Sequence, residues 1–140
     1  MATYNKFNVF VEDQFEGVHD WDAHSFVVLL TNTAPVATNS VRADLTELAT
    51  GNGYTRDSHT TTITTSRSSG TFKAVGTDVV YTASGGTIGP FRYAVLYNTT
   101  PTSPADPLIA WWDYGSSITL NSGETFTVDF DATNGIFQVT

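Results

Sequence analysis

Two imidazoles and two carboxylates fall within six residues, His19-Asp20-Trp21-Asp22-Ala23-His24, the densest polar constellation in the chain. Such groups bind zinc or manganese when a loop brings them onto one ion, but their spacing matches no zinc pattern and no further cluster completes the set. The expected roles are therefore backbone turning by the aspartates and solvated histidines, with no metal bound. Asp57 and His59 lie in a Ser/Thr-rich stretch, yet no elbow motif singles out a nucleophile. Asp129 and Asp131, two apart, would share one face of a strand; a glycosidase pair needs a cleft around it, and the expectation here is a solvated sheet face. Gly51-x-Gly53 and Gly85-Gly86 lack the lysine and following helix of a phosphate loop and read as turns. No catalytic residue and no cofactor are expected.

Trp111, Trp112 and Tyr114 suggest a different chemistry, because aromatic rings stack on sugar faces. On a regular strand Trp111 points opposite to Trp112 and Tyr114, so only one set can be a platform while the other is core. Packing in a core or subunit interface is the expected role of all three.

The elements that must hold these residues are strands. In 140 residues there is room for one domain, 1–140, with a sizeable core. Aromatics make up 13% and charged residues only 14%, which argues for a packed globular body. A net charge of -8 would repel phosphate backbones and anionic lipid surfaces, so neither nucleic acid nor membrane is an expected partner. With no cysteine the fold cannot rest on disulfides. The first residues carry no basic region leading into a long apolar stretch, so no secretory signal is expected, and no run approaches a membrane-spanning length.

Phe7, Phe10, Val11 and Phe15 fall at helical spacing before Gly17, which predicts a helix over 4–15. Ser25 to Leu30 is apolar on both faces and reads as a buried strand. A short helix or helical turn is expected over Ser40–Ala49 with Ser40 as its cap, and one exposed edge strand over Arg56–Ser69. The runs TFKAV and DVVYTA read as a hairpin. Phe91–Asn98 reads as a central strand with Phe91, Tyr93, Val95 and Tyr97 on one face. Three of the five prolines, Pro101, Pro104 and Pro107, mark Thr99–Pro107 as a loop. Leu108–Tyr114 resumes the sheet, and the alternation of Ile118, Leu120, Phe126, Val128 and Phe130 reads as an antiparallel meander. The expected fold is all-β, an antiparallel β-sandwich or jelly roll of about eight strands with one or two short helices.

Several stretches carry a family likeness: Tyr4-Asn5-Lys6-Phe7 through Gly17-Val18-His19, Leu30-Thr31-Asn32-Thr33-Ala34-Pro35, Gly51-Asn52-Gly53-Tyr54, Gly89-Pro90-Phe91-Arg92-Tyr93, and Trp111-Trp112-Asp113-Tyr114-Gly115. The chain resembles the small, cysteine-free structural proteins of tailed bacteriophages, above all the jelly-roll cement or decoration proteins that coat capsids, and the likeness spans nearly its whole length. The resemblance implies a non-enzymatic virion protein, made in the bacterial cytoplasm and bound to the capsid exterior. Its partners would be the major capsid protein and itself, as a dimer or trimer. Binding only to the assembled lattice would stabilise that lattice by mass action.

On this view the docking residues are expected in the segment 1–17 (Phe7, Phe10 and Val11) and in the proline loop (Pro101, Pro104 and Pro107). Deleting residues 2–11 is then expected to abolish capsid binding and leave the body folded. The alternative is a carbohydrate-binding or structural module of a phage tail or fibre, with Trp112 and Tyr114 as the glycan platform.

Overall fold

The computed structural model describes residues 2–140. Among these residues ten strands form antiparallel sheets and one α-helix stands beside them, an all-β sandwich. The larger layer has five strands in the order β1 (Thr3–Lys6), β8 (Leu108–Leu120), β7 (Ile88–Asn98), β2 (Phe26–Thr31), β3 (Thr60–Thr61). Facing it are a three-stranded sheet, β10 (Phe137–Val139), β5 (Thr71–Gly76), β4 (Ile63–Ser68), and the pair β6 (Val79–Thr82) with β9 (Thr125–Val128).

The centre of the large sheet is buried on both sides. Phe26, Val28, Leu30, Phe91, Ala94 and Leu96 meet Ala74, Val79, Tyr81, Val128 and Ile136 of the second layer. On the opposite side Val27, Leu29, Val95, Tyr97, Leu108 and Trp111 are covered by Phe7 and by Ala37 and Leu45. This explains why β2 is apolar at every position: alternation disappears when neither face meets water.

The lid over that second side is fixed by ions. Arg42 donates from Nε and Nη2 to Glu47 Oε2 at 2.9 and 2.7 Å, and from Nη1 to Asp57. Tyr54 OH donates to Glu47 Oε1 at 2.7 Å and accepts from the Leu30 N–H at 3.1 Å; Tyr97 OH donates to Asp57 Oδ1 at 2.7 Å. Burial and the proximity of Glu47 hold the Tyr54 phenol far above its ordinary range, so it stays a donor.

Several expectations need correction. In place of a helix from Ser40 to Ala49 there is a single 3-10 turn, Arg42–Asp44, and Asp44 rather than Ser40 closes it, accepting from the Ser40 and Val41 N–H groups at 2.8 and 3.2 Å. The leucines that suggested a helix face different bodies, Leu45 the outer cluster and Leu48 the inner one. The stretch Arg56–Ser69 holds two strands in different sheets, β3 and β4.

Strands β5 and β6 are not a hairpin: β5 lies between β4 and β10, while β6 pairs with β9. Thr77 exchanges hydrogen bonds with Thr61 and Thr62, which carries the chain onward instead of reversing it. Nor do the last strands form a meander, since β8 continues to Leu120 and the turn at 121–124 crosses to the other layer. Strand β7 is central, but Phe91 joins Ala94 and Leu96 in the inner core rather than Tyr93, Val95 and Tyr97. The register shifts at Phe91/Tyr93 break the period of two.

Candidate docking face

The N-terminal segment begins as a strand. Residues Thr3–Lys6 pair with Asp113–Ala110 as the edge of the large sheet, and only Val9–Phe15 is helical (α1). The predicted helix over 4–15 is therefore short by its first half. Phe7 is fully buried against Trp111, ring centroids 4.4 Å apart, and Phe10 is buried among Trp21, Phe137 and His19. These two phenylalanines belong to the core and cannot serve as docking residues. Deleting residues 2–11 would remove an edge strand and two core rings, so the body would not survive it. Pro107 is buried as well; Pro101 and Pro104 are partly exposed.

Val11 does reach the surface, with Phe15 of the same helical stripe and with three residues that the helical spacing did not single out. Seven large hydrophobic residues are exposed among the described residues, and five of them, Tyr4, Val11, Phe15, Tyr114 and Val139, line clefts on the β1 side of the sandwich. Phe15 is 84% exposed. The signals were faint: Phe15 ends a helical stripe, and Val139 ends an alternating strand near the chain terminus.

The tryptophans follow the alternation rule. Trp111 enters the outer core, and Trp112 points the other way, partly buried against Phe130 (5.4 Å, 70°) and Tyr4 (5.7 Å, 61°). Tyr114 is half exposed and edge-on to Phe126. Together with Phe91 they wall a cleft of about 260 Å³. Arg92 closes its rim by a bidentate pair with Asp113, at 2.7 and 2.9 Å.

The other chemical candidates are used structurally, and His19 is not the solvated imidazole expected of it but is buried at 4% exposure, because Phe10 and Trp21 close over its ring. Asn98 Oδ1 accepts from the Thr100 N–H, which turns its Nδ2 toward both imidazoles, 3.1 Å from His19 Nδ1 and 2.9 Å from His24 Nδ1. Both Nδ1 atoms are thus acceptors, with the protons on Nε2. Asp20 Oδ1 caps the Asp22 and Ala23 N–H groups, and Asp22 accepts from Thr65. His59 stacks on Tyr54 and lies 4.3 Å from the Tyr81 ring. Asp131 lies beyond β9 rather than sharing a strand face with Asp129, and it accepts from the Thr133 and Asn134 N–H groups.

This arrangement has a pH signature. Burial, reinforced by the charge of His24, lowers the His19 imidazole from 6.5 to about 4. Its folded-state value is depressed, so its contribution to stability is complete above pH 6.5 and is lost as the pH falls toward 4. His59, also lowered by burial, acts in the same direction. The melting temperature is expected to drop between neutral pH and about pH 4.5, with His19→Gln flattening most of that drop. An equal slope in wild type and variant, measured by calorimetry, would remove His19 from the account.

No family model, curated protein or solved structure matches the chain.

Proposed function

We propose that the protein is a non-enzymatic virion structural protein, a capsid decoration protein of a tailed phage that docks on the outer lattice through the β1 side of the sandwich. One observation carries the docking: five of the seven exposed large hydrophobic residues line that side. Contiguous exposed apolar surface is what a stable partner would cover. The resemblance to cement proteins supplies the identity of the lattice, and an acidic body stays soluble before it meets the shell. Stabilisation then follows from binding the assembled lattice and not its free subunits.

The test uses positions already in water. Phe15→Glu and Val11→Glu should leave the circular dichroism spectrum unchanged, because neither side chain is core. Each replaces an apolar contact that would contribute about 1.5–3 kcal/mol when buried, so shell binding should weaken roughly tenfold to a hundredfold. Undiminished occupancy of both variants on undecorated shells, imaged by electron microscopy, would overturn the reading. Tryptophan quenching by a polysaccharide, abolished by Trp112→Ala, together with bare shells, would favour the tail or fibre module.

A further inference from the structure

Three clefts follow one another along β1. The first, about 260 Å³, opens beside Ala2, Trp112 and Tyr114; the second, about 370 Å³, beside Ala2, Tyr4 and Ile136; the third, about 440 Å³, beside Tyr4, Lys6 and Phe15. Neighbours share walls, Trp112 and Phe130 between the first two, Tyr4 and Ile136 between the last two. They form one groove between the edge of the large sheet and the layer that carries β9 and β10.

The residues β1 and its flank offer to this groove are Ala2, Tyr4 and Lys6, every second position. Same-face side chains of a strand recur every ~6.8 Å, so the groove wall made by Ala2, Tyr4 and Lys6 has the repeat of an extended chain, whereas a helix presents side chains at three- and four-residue intervals. Strand β1 ends its sheet, and among the described residues no strand pairs with its outer edge. An exposed edge of this kind is a template for strand addition.

The charges define the occupant further. Asp129 and Asp131 line the groove, and Glu12 and Glu16 are exposed on and just after the helix that ends it. Asp131 is held below the usual carboxylate range by the Asn134 N–H and side-chain amide, then by the Thr133 N–H and the charge of Lys73. Against these four acids stand Lys6 and, near Asp131, Lys73, since Arg92 is committed to Asp113; the balance along the groove stays acidic. A second copy of this chain, itself at -8, is a poor match.

We propose that the groove receives an extended segment of the partner, added along β1 as a further strand, with apolar side chains at alternate positions in the clefts and basic side chains facing the acidic rim. This rests on reading the β1 side as the docking face, and it specifies what the partner must present there.

The probe is an alternating Lys/Val peptide of about eight residues, compared with a Glu/Val peptide of the same pattern and a block-ordered peptide of the same Lys/Val composition. The alternating basic peptide should bind at least about tenfold tighter than either control, with amide shifts concentrated at residues 2–6, and Tyr4→Asp should weaken it by a similar factor without loss of folded signal. Equal binding of the block-ordered peptide, shifts confined elsewhere, or polysaccharide producing the shifts while peptides produce none would overturn the proposal. If the peptides fail while Phe15→Glu still strips the protein from shells, the added strand is wrong and the docking face stands. If the alternating peptide binds while Phe15→Glu leaves decoration intact, the groove is a strand site and the shell reading falls.

Discussion

Replacing Trp21 with alanine is expected to lower the stability of the protein by about 3–5 kcal/mol, the range for emptying a large aromatic from a packed core. Trp21 is only 6% exposed, and its ring lies flat on Phe26 of β2 at 4.4 Å. It also meets Phe10 of α1 edge-on at 6.2 Å and Phe137 of β10 at 4.8 Å, while its Nε1–H donates to Gln14. One side chain thus ties the helix to both layers. The indole cannot be replaced by collapse, because its neighbours sit on three elements anchored separately, so a cavity remains. Trp21→Phe keeps part of the stack and should lose less than half as much. The measurement is the urea midpoint at unchanged slope. A loss under about 1 kcal/mol for Trp21→Ala would mean that the site relaxes and that Trp21 is not an anchor. Because α1 carries Val11 and Phe15, the proposed docking face predicts that the same variant also loses shell binding, through displacement of the helix rather than loss of a contact.

The second large effect concerns Glu47, whose side chain is 5% exposed. Arg42→Met preserves much of the arginine's apolar length but leaves this carboxylate without its main partner, and removing one member of a buried pair typically costs about 3–5 kcal/mol. Arg56, 3.6 Å from Glu47 and itself about half exposed, replaces only part of that interaction. Glu47→Gln should be milder, since the amide oxygen can still accept from Tyr54 OH and Arg42 keeps Asp57. The double variant Arg42→Met/Glu47→Gln should recover much of the loss seen in Arg42→Met. A double-mutant cycle in urea reads this directly, and simple additivity would show that the pair is not coupled. Weak coupling would also imply that the segment from Ala37 to Asp57 is held over the sheet by Leu45 and Tyr54 packing alone.

Much of this architecture is visible in residue order because burial acts on each strand separately. The uniform apolarity of Phe26–Thr31 announces a strand covered on both faces, and the adjacent Trp111 and Trp112 must diverge because a pleated chain sends neighbours to opposite sides. The glycines at 51 and 53 mark a turn, and at Gly53 a side chain would collide with the Thr82 carbonyl. Pairing is less visible. Alternation tells which face of a strand is wet, never which strand lies beside it, so β5, β6, β8 and β9 read as hairpin and meander when their hydrogen bonds run between other partners.

The N-terminal segment shows the same division at the level of function. Apolar spacing identifies Phe7, Phe10, Val11 and Phe15 as residues that seek cover, and that property is local to each side chain. Whether the cover comes from the same molecule depends on space around a folded neighbour: Trp111 and Trp21 receive Phe7 and Phe10, while Val11 and Phe15 are left exposed by the described residues. Composition and periodicity therefore specify an acidic all-β body with an aromatic interior. The apolar strip left beside β1 exists only once two sheets are packed, because it is the remainder after the core has taken what it can enclose.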